Sequence, residues 1–307
     1  MLPDRAWRKV FIGSNGLRAG WRFLLFIAIG QFMGKSLGWL ITRVYHYQER
    51  WNPRDFIVDG ALSLAIAMFA AWLLFRWRQQ SFADFGFPLR KAFGALFWEG
   101  VFWGFATSAI VVSIICLARG TEFHGLALAG AAFVKSALMW GLAFLLVGLL
   151  EEFLFRGYAL VTLAEGMGFW PAALVTSLLF GGEHLLKPKE SFLDIFNIIL
   201  FGLFWCFTLR RTGNLWFAIG FHAMSDYADM VIFAEPNTGN AGQPLDGHLL
   251  NVTLHGPAWL TGGIAGTEAS VPALAVLLAT WVIFALRFRE RQALDAIVIP
   301  HFARSDP

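Results

Sequence analysis

Apolar residues run along this chain in long continuous blocks. They follow neither the alternation of a half-buried strand nor the one-sided stripe of a surface helix. Blocks near 21–41, 56–76, 92–118, 131–164, 170–186, 192–209, 215–234 and 270–287 each come close to or exceed the ~20 residues a helix needs to cross a bilayer. The pattern predicts an all-α fold, a polytopic transmembrane helical bundle of about eight spans. Runs this continuous exclude a closed β-barrel, whose strands alternate between lipid and lumen. The fourth block is overlong for one crossing and is expected to break.

Composition and charge sharpen that picture. Of 307 residues, 57% are hydrophobic and only 15% charged, which places the chain in a bilayer. The blocks recur from end to end, so the chain reads as an arm (1–20), one bundle (21–288) and a tail (289–307), without internal repeats. The net charge of +3 is spread over the block ends and forms no single basic face, so it gives no support to nucleic-acid binding. Basic residues gather in the N-terminal arm (Arg5, Arg8, Lys9), in loops 76–91 and 209–214, and in the tail "RFRERQ". The loop 235–269 has no Lys or Arg. The excess of Lys and Arg on the cytoplasmic side of membrane proteins then predicts cytoplasmic N- and C-termini and a retained first span. Asn251-Val252-Thr253 is a sequon of the kind that arises by chance, and Cys116 and Cys206, each inside an apolar block, read as packing. Gly100 and Gly104 predict a close helix contact.

Polar residues inside such blocks are the natural functional candidates, because each costs several kcal/mol near the midplane unless paired or solvated. In "VGLLEEFLFRGYAL", Glu152 and Arg156 are four apart and meet on one helix face, where they can satisfy each other. Glu151 lies about 100° round the helix and finds no partner in this segment. In "SLLFGGEHLL", His184 follows Phe180 by one turn, and in "WFAIGFHAMSDYADM" His222 and Asp226 are again four apart. Glu151 and His184 stand 13 and 14 residues from the turn between the fourth and fifth blocks. At ~1.5 Å per residue they share a level, and a tilted seventh helix brings His222 towards it. A carboxylate facing two imidazoles has two plain uses. It can bind a divalent metal, as His₂Glu zinc sites do, or it can act as general base on water with imidazole oxyanion donors. Spacing leaves both open. Lys35, Asp59, Glu99, Lys135, Asn197 and Asp229 are scattered singly and read as snorkelling or interhelical pairs.

"EEFLFR", "FGGEH" and "HAMSD" resemble the EExxxR, FxxxH and HxxxN/D motifs of the CPBP family, the CAAX proteases and bacteriocin-processing enzymes of the Abi type. "SFADFGF" and "WLTGGIAGTEAS" extend the likeness from about residue 81 to 288, with the motif core at about 131–234. The resemblance implies an intramembrane endopeptidase acting on a membrane-associated protein or peptide, in a bacterial inner (plasma) membrane. Glu151 would activate water, and His184 and His222 would bind metal, zinc first, or stabilise the oxyanion. Asp226 would complete the polar site, with Glu152, Arg156 and Phe180 in support. Glu151, His184 and His222 would be the metal ligands, and a metal-free glutamate mechanism is the alternative. Asp226 stands where Asn is commoner, and Glu183 beside His184 is an extra acid. Neither a prenylated substrate nor an oligomeric state follows from these residues. No HExxH or GxSxG occurs. A non-enzymatic immunity or scaffold protein of the same fold keeps the same helices, and an ion-coupled transporter would place ionisable residues similarly, though it would ordinarily show repeat symmetry.

Overall fold

The computed structural model describes residues 6–13, 16–46, 51–185 and 191–289; residues 1–5 of the expected arm, the tail from 290 onward and the expected end of the fifth block at 186 lie outside them. Among the described residues eight apolar helices form the bundle: α1 (Ala19–Ile41), α2 (Pro53–Arg78), α3 (Ala95–Leu117), α4 (Gly130–Glu151, continuing to Met167), α5 (Phe169–His184), α6 (Phe192–Thr212), α7 (Trp216–Tyr227) and α8 (Val271–Arg287). Each falls on one of the eight blocks. Five of these segments are long and apolar enough to cross a membrane by themselves. Large apolar side chains such as Trp98, Phe102 and Leu138 are exposed on the outside of the bundle, as expected of a surface that meets lipid rather than water. This is an integral membrane protein.

Helix starts follow local chemistry. Pro53 opens α2 behind an Asn52 cap whose side chain accepts from Asp55 N–H, Ser191 caps α6 through Asp194 N–H, and Ser270 caps α8. Each cap satisfies a backbone donor that would otherwise be orphaned at a membrane boundary. The overlong fourth block does not break into two helices. It unwinds into a π-helical stretch over Glu152–Ala159 and resumes as an α-helix over Leu160–Met167. Such wide turns are rare and concentrate at functional sites. A second one, Ala228–Ile232, continues α7.

The short helix α7 is the axis of the bundle. A Cβ on Gly100 would lie 2.1 Å from Phe217 O, and one on Gly220 2.2 Å from Phe97 O, so α3 and α7 touch backbone to backbone. The expected close contact at Gly100 and Gly104 is therefore present, and its partner is α7. On the α4 side, Gly148 meets Ala223, and on the α6 side the Phe204 and Phe221 rings lie 5.6 Å apart.

Among the described residues two short antiparallel pairs depart from the all-helical expectation: Ile12–Gly13 with Gly16–Leu17, and a longer one. Strand β1 (Thr121–Leu126) pairs antiparallel with β2 (Leu250–Leu254), Thr121 opposite Leu254. The pair ties the α3–α4 connection to the long loop before α8. Glu235, buried in that loop, accepts from Thr267 N–H at 2.7 Å and from Thr267 Oγ1–H at 2.5 Å. The Gly- and Asn-rich segment is thus folded back onto the start of α8.

Candidate active site

The π-helical turn of α4 and the middle of α7 bring the polar residues together. Glu152 Oε1 accepts from Arg156 Nη1 at 3.0 Å, and both side chains are fully buried. The same Oε1 lies 2.8 Å from His222 Nδ1. One carboxylate therefore neutralises the arginine and fixes the imidazole, a role the i,i+4 spacing alone did not reveal. The other ring nitrogen, His222 Nε2, lies 3.6 Å from Glu151 Oε2 and 3.5 Å from Asp226 Oδ2. Unlike Glu152, these two carboxylates are only partly buried, at 31% and 22% side-chain exposure. Adjacent residues on one helix thus have separate environments, one fully buried and paired, the other partly exposed and facing the imidazole.

Aromatic walls hold the arrangement. Trp205 of α6 stacks on the His222 ring at 4.3 Å and 15°. The Arg156 guanidinium sits 4.2 Å over Phe180 and 4.9 Å over Trp205, a desolvated setting in which cation–π attraction is at its strongest. Gly202 makes room for it, since a Cβ there would lie 2.8 Å from Arg156 Nη2. Phe180 presents its ring edgewise to both imidazoles, 5.6 Å from His184 and 6.1 Å from His222. The half-buried His184 has Nδ1 3.2 Å from Phe180 O on its own helix. Phe180, Trp205, His222, Asp226, Asp229 and Glu268 line a cavity of about 60 Å³, and a site needs only ~10–15 Å³ of such space per water. The cavity therefore has room for water beside the imidazole in the middle of an apolar bundle.

Six of the seven residues singled out from the sequence, Glu151, Glu152, Arg156, Phe180, His222 and Asp226, form one constellation, and His184 joins it across the Phe180 ring. Trp205 and Gly202 were missed. An aromatic and a glycine in an apolar run read as packing, and the only available signal was their spacing of three on a helix facing the motif. Of the scattered polar residues, Asp229 lines the cavity, Glu99 pairs with Arg287 at 2.6 Å, and Asn197 donates to Glu268 O and Ser270 O. Glu183 lines a separate lateral groove of about 680 Å³ that also contains Lys35.

The expected metal ligands were Glu151, His184 and His222. Among the described residues no three His, Cys, Asp or Glu side chains form a group that could hold a metal ion. The chemistry proposed below is carried by the chain's own groups.

No curated protein and no solved structure matches the chain. A family model does: residues 133–228, from α4 through the His222 and Asp226 segment, match the family described as Type II CAAX prenyl endopeptidase Rce1-like. That stretch contains Glu151, Glu152, Arg156, Phe180, His184, His222 and Asp226, and over it the chain is similar to that family.

Proposed function

We propose that the protein is an intramembrane endopeptidase that hydrolyses a peptide bond in a membrane-associated protein or peptide, with Glu151 as the general base. The observation that carries this reading is the placement of Glu151 Oε2 3.6 Å from His222 Nε2, while the buried Glu152–Arg156 pair holds Nδ1 of the same ring. A base must be partly hydrated to reach water and must face the groups that will receive the developing charge. Glu151 meets both requirements; Glu152 touches the same ring but is fully buried and already committed to Arg156 and His222 Nδ1.

In this reading a water in the polar site gives its proton to Glu151 as its oxygen bonds to the scissile carbonyl carbon. The carbonyl electron pair moves onto oxygen. His222 Nε2–H donates to that oxyanion when the ring carries both protons, and His184, whose Nδ1–H donates to Phe180 O, supplies a second donor through Nε2 when it is likewise protonated on both nitrogens. When the intermediate collapses, the carbon–nitrogen bond breaks and the proton held by Glu151 passes to the leaving amine. Trp205 and Glu152 fix the plane and azimuth of the His222 ring, so that its donor is oriented before charge develops. Such preorganisation is usually the largest single contribution to catalysis.

The test is cleavage of a membrane-anchored reporter peptide by purified protein in micelles, with and without chelator. Turnover should persist in chelator and fall by about 10²–10³ in His222→Ala, the range for loss of one oxyanion donor. Loss of turnover in chelator, restored by zinc, would replace the glutamate mechanism with one in which Glu151, His184 and His222 close on a divalent ion.

A further inference from the structure

The end of the bundle where α1 begins and α2 and α4 finish carries a second polar cluster, apart from the His222 cavity. Arg22 in the first turn of α1, Arg78 at the last residue of α2 and Glu165 near the end of α4 meet there. Glu165 is gripped by both Nη groups of Arg22 and accepts from Arg78 Nη1 at 3.0 Å. All three side chains are largely buried, at 8%, 19% and 15% exposure for Arg22, Arg78 and Glu165.

Among the described residues one carboxylate serves two guanidiniums, which leaves a unit of positive charge in a poorly solvated place. Arg22 is fully committed, with Nε donating to Leu17 O and both Nη groups on Glu165. Arg78 is not, because among the described residues only its Nη1 is hydrogen-bonded. Beside the two arginines lies a cavity of about 270 Å³ whose other polar walls are Gln80 and Tyr158. None of the described residues lining it is acidic. Trp77 borders it at 76% exposure, the position of an aromatic at a membrane–water boundary.

We propose that this cavity binds a phosphate group, carried by an anionic phospholipid headgroup or free in solution, with the guanidinium of Arg78 as its principal contact. A planar fork with open donors suits tetrahedral phosphate oxygens. A boundary level is also where lipid phosphates lie and where basic side chains attract them. The bound group supplies the negative charge that Glu165 alone cannot. It also links α1 to α2 and α4 at the one end where α1 is anchored.

The experiment uses the full chain in maltoside micelles and compares Tm after doping with phosphatidylglycerol, with diacylglycerol of the same acyl chains, or with inorganic phosphate. Phosphatidylglycerol should raise Tm in a saturable way, and diacylglycerol should not, because a ligand that binds only the folded state stabilises it by mass action. A shift with inorganic phosphate of the same size as with the lipid assigns the site to a soluble anion; a shift with the lipid alone assigns it to a headgroup. Arg78→Gln should weaken the apparent affinity roughly tenfold or more, the loss expected for a charge-assisted hydrogen bond. Gln80→Glu, which leaves the Arg22–Glu165–Arg78 cluster intact but puts a carboxylate in the cavity, should weaken it similarly. No shift with either phosphate source, an equal shift with diacylglycerol, or an undiminished shift in both variants would overturn the proposal.

Discussion

Helices α1 and α7 are both apolar in sequence and have opposite surroundings. Of the 23 residues of α1, only Ala19, Arg22 and Phe26 are buried, and all three lie in its first third. In α7, nine of the twelve residues from Trp216 to Tyr227 are buried. Their glycines differ in the same way. A Cβ on Gly220 would strike Phe97 O, whereas nothing lies within 4 Å of one on Gly34. So do their charges: Lys35 borders the open lateral groove, while His222 is enclosed by Glu152 and Trp205. In a membrane, hydropathy selects a helix for the bilayer, and only the contacts of small and polar residues decide whether it becomes the scaffold of a site or an outer wall.

The largest effect that would test this contrast is on the buried ion pair. Glu152→Ala leaves Arg156 and His222 without their shared carboxylate, and breaking a buried pair costs about 3–5 kcal/mol. Folded yield and Tm should fall sharply. A variant that melts like the parent but has lost activity would move Glu152 from support into the chemistry.

Next in size is the glycine comparison. Gly220→Ala forces apart two backbones already in contact and should cost about 1–3 kcal/mol, the usual range for overpacking. Gly34→Ala in open space should be neutral or gain up to ~1 kcal/mol from helix propensity. Paired thermal melts read the difference, and equal effects at the two positions would remove the distinction between α1 and α7.

The smallest effect concerns the loop that closes over the end of the bundle. Burial pushes the Glu235 carboxyl well above the usual range, and the nearby Asp229 charge adds to this; the Thr267 hydroxyl and backbone N–H pull it back only in part. A carboxyl with a raised folded-state value favours folding while protonated. Its contribution is complete below the ordinary glutamate range and is lost as pH rises through the folded-state value. Stability should therefore decline over that interval, and Glu235→Gln should flatten the decline. An unchanged slope of Tm against pH in Glu235→Gln would remove Glu235 as its source.

The legible and illegible parts of this molecule separate by range. Eight blocks became eight helices because continuous apolarity over a bilayer's width has one solution. Glu152 and Arg156 were paired from the sequence because i,i+4 neighbours meet whatever surrounds them, and the pair survives the π-helical winding. The winding itself carried no signal. It depends on the fit of α4 between α5, α6 and α7, and "EFLFRGYA" reads as an ordinary helix. The Arg22–Glu165 and Arg78–Glu165 links join residues 143 and 87 positions apart, beyond any periodicity. The β1–β2 pairing was hidden for a related reason, since "TEFHGL" and "LNVTL" are too short to announce strands without each other. Trp205 could not be told from its aromatic neighbours until His222 was found beneath it.

The most direct test of the central claim is the rate of peptide-bond cleavage by Glu151→Gln, measured on the same preparation as its Tm. The amide keeps the size and polarity of the side chain and removes only its capacity to take a proton. Turnover should be abolished while Tm stays within a degree or so of the parent, as expected for a half-exposed isosteric change. Turnover retained by Glu151→Gln in a preparation free of other proteases would contradict the assignment of Glu151 as the base.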